Sequence, residues 1–340
     1  MKHNLTITIV LLSFFLLAQI TGLWLINSDS KISVDDQGNI LVSHGDTSLG
    51  ERPQTEGFGS FLYLIIGITI GTLIVLVLVK FRKANIWRYW FFLAVWMALS
   101  VSIGVFVKQK IIFNYDIAML IALILAVWKI WKPNIIIHNV TEVLVYSGIA
   151  VLLVPIFDVF WAIMLLIAIS LYDMYAVWKS KHMVKMAKFQ TNSNVFAGLM
   201  IPYSMKDAKM QQVNEKSSTA KISKTASSDT KTSKAKPKTA ILGGGDVVFP
   251  LILTGAVMEA LMGKKTIFPD WLSWLNPIFN KMYEHVLTKP EAFMQSSIMI
   301  VTTTIALALL FFFAKKDRFY PAMPFVTAGC LIGWVIVLLI

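Results

Sequence analysis

Nine apolar runs, at residues 5–26, 58–79, 86–107, 112–131, 135–154, 156–178, 241–261, 293–314 and 320–340, constrain what this chain can become. Each is long enough for a helix to cross ~30 Å of hydrocarbon, where backbone N–H and C=O groups must be satisfied within the segment. The expected fold is an all-α polytopic membrane protein with nine transmembrane helices. The composition agrees: the 340 residues are 56% hydrophobic and only 15% charged, more apolar than a soluble chain of this length needs to be. The first run follows Lys2 in the manner of a secretion signal, but it is longer than a signal core and no small-x-small site follows. It is read as a retained helix. Cys330 is the single cysteine, so no internal disulfide and no thiolate metal site are expected, and no metal or cofactor is called for.

The net charge of +12 suggests nucleic acid until its distribution is examined. With the N-terminus in the cytoplasm, 23 of the 31 basic residues fall on inner segments, including Lys80, Arg82, Lys83, Arg88, Lys129, Lys132, thirteen lysines from Lys179 to Lys238, and Lys315, Lys316 and Arg318. That pattern satisfies the positive-inside rule and makes the lipid bilayer, not nucleic acid, the partner of the charge. The chain divides into a six-helix part at 1–178, a basic cytoplasmic loop at 179–240 and a three-helix part at 241–340. Residues 210–238 are Lys, Ser, Thr, Ala and Gln with almost no large apolar side chain, which predicts disorder. Residues 181–205 mix lysines with Met and Phe and read as an amphipathic surface helix, or as a segment that meets substrate or is self-cleaved. On the outer side, Asp36-Gln37-Gly38-Asn39 between two β-prone runs predicts a small hairpin, and Asp270 is a candidate cap for a short interfacial helix. Gly67 and Gly71 form a GxxxG spacing, read as close helix packing within the chain.

Two acids stand apart because each lies inside an apolar run. Asp173 is six residues before Lys179, ~9 Å along a helix, and Asp246 is eight residues after Lys238, ~12 Å along. One linker joins the two runs, so both carboxylates lie near the same membrane face at matching depth. An intramembrane carboxylate costs about 2.5–3.5 kcal/mol on insertion scales, so it usually marks a pathway or a reaction centre. Other acids compete less well: Asp116 and Asp158 are near the outer boundary, and Glu259 is thirteen residues beyond Asp246. Glu142 falls near the level of the pair and is read chiefly as a satisfied helix-packing group, with contact to the site as the alternative.

Tyr172-Asp173 in the sixth run, Gly243-Gly244-Gly245-Asp246 in the seventh and Pro321-Ala322-Met323 in the ninth occur in that order. In this combination the chain resembles the GxGD intramembrane aspartyl proteases of the presenilin and signal peptide peptidase family, and is most similar to the archaeal presenilin homologues. The family's YD, GxGD and PAL motifs match these stretches, with Met323 where leucine is usual, a swap of similar volume that should be tolerated. The resemblance implies a presenilin-like fold and hydrolysis of peptide bonds in transmembrane helices, with Asp173 and Asp246 catalytic. It implies that Tyr172, Gly243, Gly245, Pro321, Ala322 and Met323 bind substrate.

The residues allow that chemistry unaided. Two adjacent carboxylates cannot both ionise cheaply, so one can draw a proton from attacking water while the other donates to the carbonyl oxygen. Gly243 and Gly245 would let span six or an extended substrate approach Asp246, and Pro321 and Pro324 withdraw backbone donors near the start of span nine. The orientation predicts single-span substrates with their N-terminus outside, and the basic inner loops fit the plasma membrane of a prokaryote or archaeon. The competing function is an ion or proton transporter using the same carboxylates, which would call for an internal repeat that the sequence lacks.

Overall fold

The computed structural model describes residues 5–34, 40–81, 84–107, 111–112, 115–132, 134–180, 196–202, 239–263, 272, 274, 286–314 and 320–340. The described residues hold nine α-helices: α1 (Leu5–Asp29), α2 (Phe58–Lys80), α3 (Ala84–Val107), α4 (Ile117–Trp131), α5 (Ile135–Leu153), α6 (Val159–Tyr175), α7 (Gly245–Leu261), α8 (Lys289–Phe313) and α9 (Met323–Leu339). Six segments are long and apolar enough to cross a membrane, and α4 and α9 are shorter apolar helices. Three antiparallel strand pairs accompany them: β1 (Ser30–Val34) with β2 (Ile40–His44), β3 (Ile111–Ile112) with β4 (Tyr115–Asp116), and β5 (Gly198–Pro202) with β6 (Thr239–Gly243).

Helix α7 is the axis of the fold. It is apolar all round and buried throughout from Pro250 to Leu261, as a helix enclosed by others should be. Helices α1, α5, α6, α8 and α9 all pack on it. The return between the adjoining runs 135–154 and 156–178 is a single 3-10 turn, Val154–Ile156, with Pro155 at its centre, joining α5 to α6. Helix α4 starts five residues later than its apolar run because Tyr115–Asp116 is taken into the β3–β4 pair. Asp116 then caps its own helix by accepting from the Ala118 N–H at 2.9 Å.

The packing expected at Gly67 and Gly71 is not made. A side chain at either position would meet nothing within 4 Å, because α2 buries only Ser60 and Leu78, near its two ends. Close approach occurs instead between α8 and α9, where a Cβ on Gly333 would lie 2.7 Å from the Met299 Cα. Lys129, counted above as an inner loop charge, is buried within the bundle. The expected disorder at 210–238 and the capped helix around Asp270 lie outside the described residues.

The hairpin expected after the first helix is present as β1 and β2, with Ser30 opposite His44. It is clamped to the bundle by charge. His44 Nδ1 bonds Asp29 Oδ2 at 3.0 Å, and its Nε2 lies 3.1 Å from Glu259 Oε1 at the far end of α7, as an ion pair outside hydrogen-bond geometry. Arg52 also holds Asp29 at 2.6 Å and donates to the Val151 carbonyl. Burial disfavours charge on His44, but the Asp29 bond and the Glu259 carboxylate outweigh it, and Arg52 only partly opposes them, so the imidazole is held above its ordinary range. A raised native value means the clamp's stabilisation is complete below the ordinary histidine value and is lost as pH rises through the raised one. The melting temperature in detergent should therefore fall as pH is taken from about 6 towards 9. His44→Gln should flatten that dependence; an identical slope in the variant would remove His44 from the clamp.

Candidate active site

The site is built where one helix ends and two begin. Strand β6 leads into α7, and β5 holds it there in a five-residue ladder from Gly198 opposite Gly243 to Pro202 opposite Thr239. Span seven was expected to be helical from residue 241, and 181–205 to be an amphipathic helix or a segment that meets substrate or is self-cleaved; the ladder overturns the first expectation and puts a strand in place of helix at Gly198–Pro202, while 181–195 and 203–205 lie outside the described residues. Backbone groups committed to a strand partner are not available to a helix, and three consecutive glycines gain little from becoming helical. Gly244 is the first residue with helical torsions, its carbonyl accepts from the Val247 and Val248 N–H groups, and α7 runs from Gly245. Asp246 thus stands in the first turn of α7, where the helix dipole favours a negative charge.

The ladder is fastened to the start of α5. Asn139 Nδ2 donates to the Met200 carbonyl at 2.9 Å while the Met200 N–H donates to Asn139 Oδ1 at 3.0 Å, as a neighbouring strand would. His138 Nε2 bonds the Gly198 carbonyl at 2.9 Å. Neither residue was singled out by sequence, although His138-Asn139 followed by Thr141-Glu142 is a polar run at odds with a lipid-facing span.

Asp173 lies two residues before the end of α6 and is buried, at 5% exposure. Its Oδ2 accepts from the Met323 N–H at 3.2 Å. The first N–H groups of a helix have no partner within it, and Pro324 has no N–H to offer, so a carboxylate from α6 serves the opening turn of α9. One turn earlier, Ser170 Oγ and Thr327 Oγ1 meet at 2.7 Å, fixing α6 against α9 a second time. The structure therefore brings Asp173 together with the Pro321-Ala322-Met323 segment, in which Pro321 and Met323 are buried. Tyr172 is 38% exposed on the adjoining face of α6.

The glycines beside Asp246 do different things. A Cβ on Gly243 would lie 3.2 Å from Asp246 Oδ2, and one on Gly245 would lie 3.3 Å from the Phe249 ring, so both crowd their own segment. Gly244, not singled out above, is the one that meets another helix: its Cβ would lie 2.8 Å from Tyr146 Cε1 on α5. Glu142 takes the helix-packing role read for it, with its Oε1 2.5 Å from Lys129 Nζ and both side chains buried. Helix α6 packs on α7 and α9, so the segments carrying Asp173, Asp246 and Met323 converge at one end of the bundle.

Comparison with known proteins identifies the family and the fold. The model of the signal-peptide peptidase, presenilin aspartyl protease family matches residues 40–275, and the chain belongs to that family. A presenilin family intramembrane aspartate protease solved in space group C222 superposes with a TM-score of 0.54 over 97% of both chains at 14% identity. The same description applies to a structure in space group P2, with a TM-score of 0.53 over 96% of this chain and 95% of that one at 15% identity. At such identities the likeness is one of fold. No curated protein matches the chain. The protein is a presenilin-like polytopic membrane protein and an intramembrane aspartyl protease, acting on membrane-embedded substrates; neither fold nor family supports the transporter reading.

The ladder's anchor is testable. Asn139→Leu removes both bonds to Met200 and should lower stability by about 2 kcal/mol while reducing proteolytic activity. Thermal melting in detergent together with cleavage of a single-span substrate measures both, and unchanged values would show that β5 is held by other means.

Proposed function

We propose that Asp173 and Asp246 form the catalytic pair of this intramembrane protease. The observation that carries the reading is the buried Asp173 carboxylate bonded to the Met323 N–H, which ties span six to span nine beside the start of α7. The pair holds one proton between its two members, because two carboxylates at close range do not both ionise cheaply. The ionised member takes a proton from water as its oxygen attacks the peptide carbonyl carbon. The protonated member donates to the carbonyl oxygen, giving a neutral tetrahedral diol. Collapse of the diol breaks the C–N bond: one member of the pair gives a proton to the leaving nitrogen while the other takes one from a diol hydroxyl, so a carboxylic acid and an amine result and the pair again holds one proton.

A peptide bond inside a helix has its carbonyl engaged, so the substrate must be extended to be attacked. Gly243 and Gly245 flank the turn into α7 and leave room beside Asp246 for an extended segment, and Pro321, Ala322, Met323 and Tyr172 border the other side. These six residues are the proposed substrate contacts. The chain then works as a six-helix part at 1–178 and a three-helix part at 241–340, each supplying one acid, joined by the loop at 179–240.

Asp173→Asn and Asp246→Asn should each abolish cleavage of a single-span substrate by the purified protein. Asparagine at 173 still accepts from the Met323 N–H, so the fold should survive, as thermal melting would show. Normal turnover by either variant would take that residue out of the mechanism. The distribution of basic residues supports an N-terminus and both acids on the cytoplasmic side, and fits the plasma membrane of a prokaryote or archaeon. In vesicles of defined orientation, substrates with their N-terminus outside should be cut in their inner half in preference to inverted ones; equal turnover of both would refute this orientation.

A further inference from the structure

We infer that Tyr146 of α5 is a positioning residue for Asp246: in the working site its hydroxyl donates to that carboxylate, while the Lys129–Glu142 pair holds the ring in place. This rests on the assignment of Asp246 to the catalytic pair. Tyr146 is 3% exposed, and its ring lies directly on the backbone at Gly244, whose Cβ would sit 2.8 Å from Cε1 and 3.2 Å from the hydroxyl oxygen. Any side chain at 244 would push the ring aside. The middle glycine of Gly243-Gly244-Gly245 is thereby explained: it admits an aromatic side chain from span five to the turn that presents Asp246.

The hydroxyl is what makes this more than packing. It is buried and has no hydrogen-bond partner among the described residues, which is rare for an interior tyrosine. The charged groups acting on it are Glu142 and Asp246. Glu142 stands one turn away on α5 and acts on the hydroxyl more strongly than Asp246 does, although the two side chains are not in hydrogen-bond geometry. Its Oε1 is already committed to Lys129 Nζ at 2.5 Å, and the same ammonium donates to Thr141 Oγ1 at 3.1 Å. An ammonium answers the charge of Glu142 and holds its Oε1, and Asp246 is the other carboxylate whose charge acts on the hydroxyl. A ring needed only to fill space would be better served by phenylalanine, which leaves no buried O–H to desolvate.

A donor aimed at a carboxylate favours its ionised form and fixes its orientation. Tyr146 would therefore help Asp246 to be the charged member of the pair at the pH of catalysis, without touching substrate. Thr141 and Lys129 complete a chain of buried contacts from α4 through α5 to the first turn of α7.

The test compares purified wild-type protein, Tyr146→Phe and Asp246→Asn on a single-span substrate in lipid vesicles. Tyr146→Phe should keep the melting temperature and KM, lower kcat about tenfold or more, and move the acidic limb of the pH–rate profile about one unit towards higher pH. Wild-type kcat and pH profile in Tyr146→Phe, with Asp246→Asn inactive, would overturn this inference alone. An active Asp246→Asn would overturn the catalytic assignment and this inference with it. Should Tyr146→Phe melt early, 3-fluorotyrosine at 146 keeps the ring and strengthens the donor. The acidic limb should then move towards lower pH, and an unmoved limb would overturn the inference.

Discussion

A carboxylate enclosed by helices must find its donors among them, and at Asp173 that requirement organises one end of the molecule. The donor it finds is the Met323 N–H at the opening of α9, one of the groups every helix leaves without an internal partner. One contact thus satisfies a buried acid and a helix start together. Separating α6 from α9 would leave both unsolvated, at a cost of about 1–3 kcal/mol for each buried polar group left unpaired. Ser170 and Thr327 repeat the arrangement one turn deeper with two hydroxyls.

The same rule explains why helix seven begins where it does. The backbone from Thr239 to Gly243 is paired in a ladder, so α7 cannot extend back over it, and Asp246 is left in the first turn instead of a turn and a half inside. The ladder in turn depends on Asn139, whose amide matches the donor and acceptor of Met200. Helix five therefore supports the site twice, through Asn139 beneath the strands and through Tyr146 beside Gly244. At its other end α7 carries Glu259, paired with His44 of the hairpin. The central helix is fixed by polar contacts at both ends and by apolar burial between them.

Much of this was legible in the chain itself. Apolar length fixed the number of helices to within a few residues at most ends, because no other backbone form spans hydrocarbon unaided. Asp173 and Asp246 stood out because a charge in an apolar run has few structural excuses, and the hairpin at β1 and β2 was visible in its turn residues. Reading failed where the answer depended on a distant partner. Gly67 and Gly71 have the spacing for close packing but meet nothing within 4 Å among the described residues, while Gly333 packs closely on α8. The β5 strand was not foreseen, in a stretch read as amphipathic helix or as a segment that meets substrate or is self-cleaved, because its mate lies about forty residues away, across the linker.

The sequence by itself determined that this chain is a nine-helix membrane protein with two acids near one face, since the length and polarity of each segment are local properties that the bilayer judges one segment at a time. Only the tertiary structure decided which backbone N–H serves Asp173, where α7 starts, and that Tyr146 lies against Gly244. Those facts are contacts between segments far apart in the chain, and a hydrogen bond or a van der Waals contact exists only when both partners have been brought to within about 3–4 Å.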